Sequence, residues 1–123
     1  MARILVVEDD PLLRASVKRI LEKAGHEVWV AAAPHAAINM LENTPVDVVV
    51  TDIHMPGMSG VDLILKIDQT KVIAMSGGGV SRAADDALAD AKLAGAAHTL
   101  PKPFQARELI DAIEAVLKEP GTA

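Results

Sequence analysis

The stretch ILVVEDDPLLR, residues 4–14, runs from four apolar residues straight into three consecutive acids, and a proline then opens a helical pattern. Ile4–Val7 is short, β-branched and apolar throughout, the mark of a strand buried on both faces. Pro11 suits the first turn of a helix, where its fixed φ fits and its missing N–H goes unused. Behind it Leu13, Val17, Ile20 and Leu21 fall on one face, with Arg14, Lys18 and Glu22 expected to face water. Strand, acidic turn and amphipathic helix in immediate succession make the first half of a βα repeat.

The succession continues along the chain. Apolar runs at Val28–Val30, Val46–Thr51 and Val72–Met75, and a weaker one at Thr99–Leu100, predict four further strands. Gly25 closes the first helix. A second starts at Pro34, carries Ile38 and Leu41, and stops at Thr44-Pro45. Val61–Ile67 predicts a shorter third and the alanine-rich Ala83–Leu93 a fourth. Gln105–Leu117 predicts a fifth, with Leu109, Ile110, Ile113 and Leu117 inward. Parallel neighbours need crossover connections, and these are right-handed, so strands alternating with helices imply an α/β fold: an open five-stranded parallel sheet, doubly wound, with helices on both faces.

Composition narrows the function. At 123 residues there is room for one domain. Hydrophobic residues make up 50% of the chain, with one Trp and one Phe, so the core must be aliphatic. Seventeen acids against 12 bases give a formal charge of −5, and no cluster of Lys and Arg forms the basic patch that direct nucleic-acid binding needs. The absence of cysteine removes thiolate metal sites and Cys nucleophiles. No apolar run approaches the ~20 residues that cross a bilayer, so no membrane insertion and a cytoplasmic location are expected.

Polar residues collect where the strands stop. The first strand is followed by Glu8, Asp9 and Asp10, the third by Asp52, the fourth by Ser76 and the fifth by Pro101-Lys102-Pro103. In a doubly wound sheet ligands bind beyond the carboxyl ends of the strands, where the strand order reverses. In the order 2-1-3-4-5 that point lies between strands one and three, so Asp9 and Asp52 become neighbours. Carboxylates a few Å apart repel by ~1 kcal/mol per pair in water and about four times that in a protein cleft, so the cluster calls for protons or a cation. All-oxygen ligation with room for water suits Mg²⁺. A carboxylate nucleophile, Mg²⁺, the Lys102 ammonium and the Ser76 hydroxyl together can place and neutralise a transferring phosphoryl group, with an aspartyl phosphate as product. Each residue alone has a plainer reading, as a helix cap, a turn residue or surface charge; their coincidence at four strand ends is the informative feature.

With the motifs ILVVEDDPLLR, DVVVTDIHMPGMSG, VIAMSGG and LPKPF the chain resembles the receiver domain of two-component response regulators along nearly its whole length. The resemblance implies a (βα)5 flavodoxin-like fold and a receiver domain over residues 1–119, with a short tail at 120–123. It implies that Asp52 is the phosphoacceptor and a metal ligand, that Asp9 ligates Mg²⁺ (or Mn²⁺) directly, that Glu8 does so through water, and that the His54 backbone carbonyl completes the set. Lys102 and Ser76 would contact the phosphoryl group, and a cis Lys102–Pro103 bond is expected. Asp10 falls outside the metal pair and suits a helix entry, where negative charge meets the dipole. The implied activity is that of a stand-alone, chemotaxis-regulator-like phosphoprotein taking a phosphoryl group from a histidine kinase or histidine phosphotransfer domain. It would phosphorylate and dephosphorylate itself rather than turn over as an enzyme, and act as a monomer or dimer in signal transduction or a phosphorelay.

Three departures from the family pattern stand out, one being that no output domain is expected after the fifth helix. Thr99 occupies the position, three residues before the site lysine, where an aromatic switch residue is usual, with His98 and Phe104 as nearby substitutes. The Asp52–Ser76 interval is short and the Ser76–Lys102 interval long, which makes Gly77–Gly79 part of an extended loop and a candidate switch or phosphoryl contact. Two rival classes remain: a phosphohydrolase of the haloacid dehalogenase kind, which expects an Asp where His54 stands, and an interaction module that is never phosphorylated. Leu12, Leu13, Arg14 and Val17 beside the 103–105 loop form the expected phosphodonor surface, with Leu13 and Val17 alternatively core; the face of helix four, strand five and helix five is the expected target surface.

Overall fold

A computed structural model of the chain describes residues 2–52, 71–76, 97–102 and 104–118. Five strands, β1 (Arg3–Val7), β2 (Glu27–Ala31), β3 (Val48–Asp52), β4 (Lys71–Ser76) and β5 (His98–Pro101), form one sheet. All pairings are parallel and the order is β2-β1-β3-β4-β5. Helices α1 (Pro11–Lys23) and α2 (Pro34–Asn43) and the C-terminal helix (Ala106–Lys118) complete the described elements, none of them long and apolar enough to cross a membrane. This is the flavodoxin-like, doubly wound arrangement that the sequence predicts. The expected third and fourth helices, Gly77–Gly79, Met55, Met58 and the Lys102–Pro103 bond lie outside the described residues.

The two faces of the sheet build two cores, because successive side chains of a strand point to opposite sides. Ile4 and Val6 of β1, Val48 and Val50 of β3 and Met75 of β4 meet Val17 and Leu21 of α1 and Leu109, Ile113 and Val116 of the C-terminal helix. Leu5, Val7, Val49 and Ala74 face the other way, against Ala37 of α2, with Trp29, Ile38 and Leu41 packed around them. Covering both faces is what turns these strands into unbroken apolar runs.

The structure corrects three expectations about faces and ends. The third strand begins at Val48 rather than Val46, because Asp47 is occupied with Arg3: the Arg3 N–H donates to Asp47 Oδ2 at 2.8 Å and the Asp47 N–H donates to the Arg3 carbonyl at 2.8 Å. The C-terminal helix buries Ala112 and Val116 with Leu109 and Ile113, while Leu117 is 38% exposed. Its apolar stripe is thus rotated by one residue at its end. Arg14 does not simply face water but is half-buried against the end of β1.

Helix α1 ends as its sequence directs. Gly25 takes φ +95, a conformation that glycine adopts without the Cβ penalty, and this turns the chain so that the Glu27 N–H donates to the Ala2 carbonyl at 2.9 Å and β2 begins. Between them the half-buried His26 accepts a hydrogen bond on Nδ1 from the Ala2 N–H at 3.1 Å. Burial lowers the pKa of its imidazole, against the opposing charge of Glu114. A base whose folded pKa lies below the unfolded value of about 6.5 stabilises the fold above that pH, and the contribution is lost as pH falls through the folded value. His26→Asn should therefore lose less stability than the parent chain from about pH 7 to about pH 5 in urea unfolding; other titrations are common to both chains, so equal losses would contradict this role.

Candidate functional site

The site grows from the adjacency of β1 and β3. Their register, Ile4 with Val48 through Val7 with Thr51, brings Glu8 beside Asp52 where both strands end. The Glu8 N–H still donates to the Ala31 carbonyl of β2 at 3.1 Å, which holds the first acid in line with the sheet. Thr51 Oγ1 donates to the Asp52 carbonyl at 2.9 Å. Glu8 and Asp52 are both buried, at 1% and 5% exposure, while Asp9 faces solvent.

Lys102 joins the two buried acids. Its Nζ donates to Glu8 Oε1 at 2.6 Å and to Asp52 Oδ2 at 3.0 Å. The lysine leaves the end of β5, two strands from β3, so its chain must cross the end of β4, a span of about 10 Å at ordinary strand spacing. A long, unbranched stem makes that reach possible. Burial by itself would lower the lysine pKa, but the hydrogen bonds and charges of Glu8 and Asp52 outweigh it and hold the ammonium above its ordinary value. For Glu8 burial is the largest influence and raises the carboxyl pKa; Lys102 and the Asp10 N–H pull it back, the charge of Asp52 pushes it up again, and it stays raised.

Oxygens of Glu8, Asp9 and Asp52 all lie within 4.8 Å of one another. An octahedral Mg²⁺ binds oxygen at about 2.1 Å, so ligands of one ion lie within about 4.2 Å of each other, a separation that the cluster approaches. Three carboxylates against one ammonium leave negative charge in excess. The donor set and the charge both fit a small divalent cation.

Asp10 stands apart from this cluster. Its Oδ1 accepts from the Leu12 and Leu13 N–H groups at 2.9 and 3.4 Å, the cap of α1. The Asp10 N–H in turn donates to Glu8 Oε2 at 3.2 Å. Ser76 ends β4, paired in register with Pro101; His54 lies outside the described residues. Thr99 sits half-buried in β5 opposite Ala74, and His98 opposite Ile73. Phe104 packs against the core that α1 covers.

These positions match a known family over residues 4–114: the response regulator receiver domain. The chain belongs to that family. Among curated relatives it is 34% identical over 116 residues to the response regulator protein FleR of Pseudomonas aeruginosa, covering 91% of this chain and 24% of that one. It is 35% identical over 121 residues to the transcriptional regulatory protein CpxR of Escherichia coli, covering 96% and 50%. The chain thus spans half or less of the length of these two relatives. Among solved structures, a response regulator receiver domain protein from Clostridium thermocellum superposes with a TM-score of 0.86 at 32% identity, covering 95% of this chain and 94% of that one. The chemotaxis protein CheY4 of Vibrio cholerae gives 0.82 at 27%, covering 94% and 98%.

In this receiver domain the sequence reading missed two contacts. Glu8 pairs directly with Lys102, and the Arg14 guanidinium donates from Nη1 to the Glu8 carbonyl at 2.9 Å. The second runs to a backbone carbonyl, which no side-chain pattern signals. Lys102→Met leaves two buried carboxylates without their cation and should destabilise the chain by about 3 kcal/mol near neutral pH. The deficit should shrink on acidification, because Glu8, pushed further up without its ammonium, takes up a proton. Urea unfolding at neutral and mildly acidic pH measures both effects; a deficit that grows on acidification would contradict the pairing.

Proposed function

We propose that this chain is the phosphoacceptor of a two-component pathway, taking a phosphoryl group from a histidine kinase or a histidine phosphotransfer protein onto Asp52. The observation that carries this reading is the Lys102 ammonium bridging Glu8 and Asp52 beside the exposed carboxylate of Asp9, at the sheet's switch point. An Asp52 oxygen attacks the phosphorus of the phosphoimidazole; the new P–O bond forms as the P–N bond breaks, and its electron pair returns to the donor's imidazole nitrogen. Lys102 would meet the phosphoryl oxygens, with Ser76 as a second donor. Asp9 and Asp52 would hold Mg²⁺ directly, Glu8 through water, and the His54 carbonyl would add a ligand; Mn²⁺ could replace it. The ion would supply neutralisation of the phosphoryl charge. In a self-catalysed step water would attack the aspartyl phosphate, releasing inorganic phosphate and restoring the Asp52 carboxylate. The output is altered binding of a protein partner, or onward relay, in the cytoplasm.

The docking surface for the phosphodonor differs from the stripe expected at first. Leu13 packs on the core and Val17 is fully buried, so neither is available. Leu12 is 82% exposed and shares a shallow groove with Ala15, Ser16 and Arg19, one outward face of α1 beginning two residues after the Asp10 cap. Small residues between a leucine and an arginine let a partner helix approach closely.

Incubation with acetyl phosphate and Mg²⁺ should add one phosphoryl mass to the chain, and Asp52→Asn should abolish the adduct. A persisting adduct in that variant would overturn the assignment, and rapid turnover of external phosphomonoesters would favour the hydrolase. Leu12→Asp should slow transfer from a cognate kinase by about tenfold without altering labelling by acetyl phosphate, which needs no docking; equal kinase rates would move the docking face elsewhere.

A further inference from the structure

We infer that Arg14 is a positioning residue for the acidic loop, fixing through the Glu8 carbonyl the direction in which Asp9 presents its carboxylate to a divalent cation. The inference rests on the Mg²⁺-dependent phosphoacceptor reading and extends it to a residue outside the acid cluster.

Three neighbouring residues after β1 must do different things. Glu8 turns its side chain inward to Lys102, Asp9 faces solvent, and Asp10 caps α1. The chain therefore bends sharply between a buried acid and an exposed one, and the peptide linking them sets where the exposed carboxylate points. One end of that bend is held by the sheet, through the Glu8 N–H on Ala31, and the other by the Asp10 N–H on Glu8 Oε2. The carbonyl of the Glu8–Asp9 peptide lies just beyond the end of β1. Arg14 takes it up, with Nη1 at 2.9 Å.

The helix makes this possible. Arg14 follows the cap by one turn, and its own N–H donates to the Asp10 carbonyl at 2.9 Å, so its Cα is fixed relative to the loop it contacts. Side chains of a helix lean toward its N-terminus, which sends the guanidinium back over the acids. A charge-assisted bond is stronger than a neutral one and shorter in reach of error, and the half-buried stem leaves the guanidinium little freedom. Partners that orient metal ligands from behind are worth about 10–100-fold in metal affinity; one peptide removed from the ligand, Arg14 belongs at the lower end.

The test is calorimetric titration of the full chain with MgCl₂. Arg14→Met keeps the apolar stem and should weaken Mg²⁺ binding about tenfold, and Arg14→Lys, which retains the charge without the planar fork, should weaken it less. Lys18→Met removes a charge from the same helix without touching the loop and should leave affinity unchanged. Wild-type affinity in both Arg14 variants, or an equal loss in Lys18→Met, which would assign the effect to the helix rather than to the Glu8 carbonyl contact, overturns the inference while leaving the phosphoacceptor reading intact; loss of a cation by charge alone would tighten Mg²⁺ binding, not weaken it. No Mg²⁺ binding by the parent chain would instead sink that reading, and the inference with it.

Discussion

One lysine holding two buried carboxylates is the interaction around which the rest is arranged. Glu8 and Asp52 end adjacent strands because β1 and β3 pair in parallel, and their repulsion in a cleft would cost several times what it costs in water. Lys102 offsets that repulsion only because the order β2-β1-β3-β4-β5 ends β5 on the same edge, within a lysine's length of both acids. The arrangement is a poor way to gain stability, since desolvating three charges consumes much of what their attraction returns. It suits the phosphoacceptor proposed above, which needs a nucleophile, a cation site and a positive charge within a few Å.

The two ends of the sheet are treated in opposite ways. At the N-terminal edge, backbone groups are closed by short local bonds: Ala2 to His26 and Arg3 to Asp47 in both directions. At the C-terminal edge the polar groups are left gathered around the acids, and order there comes from specific side chains. Asp10 starts α1, Arg14 takes the Glu8 carbonyl, and Lys102 closes the far side. The Lys71 ammonium on the Val116 carbonyl, at 2.7 Å, fastens the start of β4 to the C-terminal helix, so the strand beside Asp52 is anchored at its far end.

The strands were legible because a parallel sheet buried on both faces leaves uninterrupted apolar runs, and α1 and α2 were legible from their prolines and periodicity. Val46 extended one run too far because hydropathy cannot see that Asp47 is engaged by Arg3. The C-terminal helix misled by one position since Val116 and Leu117 are both apolar and only packing decides between them. Asp10 was legible as the helix entry from the proline that follows it, and it caps α1; the division of Glu8 and Asp9 into buried and exposed acid follows from the bend that only the fold defines. Arg14 was assigned to water by its charge; that a long side chain can turn back along its helix to a carbonyl six residues earlier is not visible in a periodic pattern.

The central claim, that Glu8, Asp9 and Asp52 form one cation site beneath Lys102, is tested most directly by paramagnetic broadening of backbone amide signals on titration with Mn²⁺. The amides of Glu8–Asp10, Asp52 and Lys102 should be lost early, with Ala2, His26 and Asp47 at the opposite edge unaffected, and Asp52→Asn should show no such pattern. Broadening centred on that opposite edge, or spread evenly over the exposed acids, would contradict it.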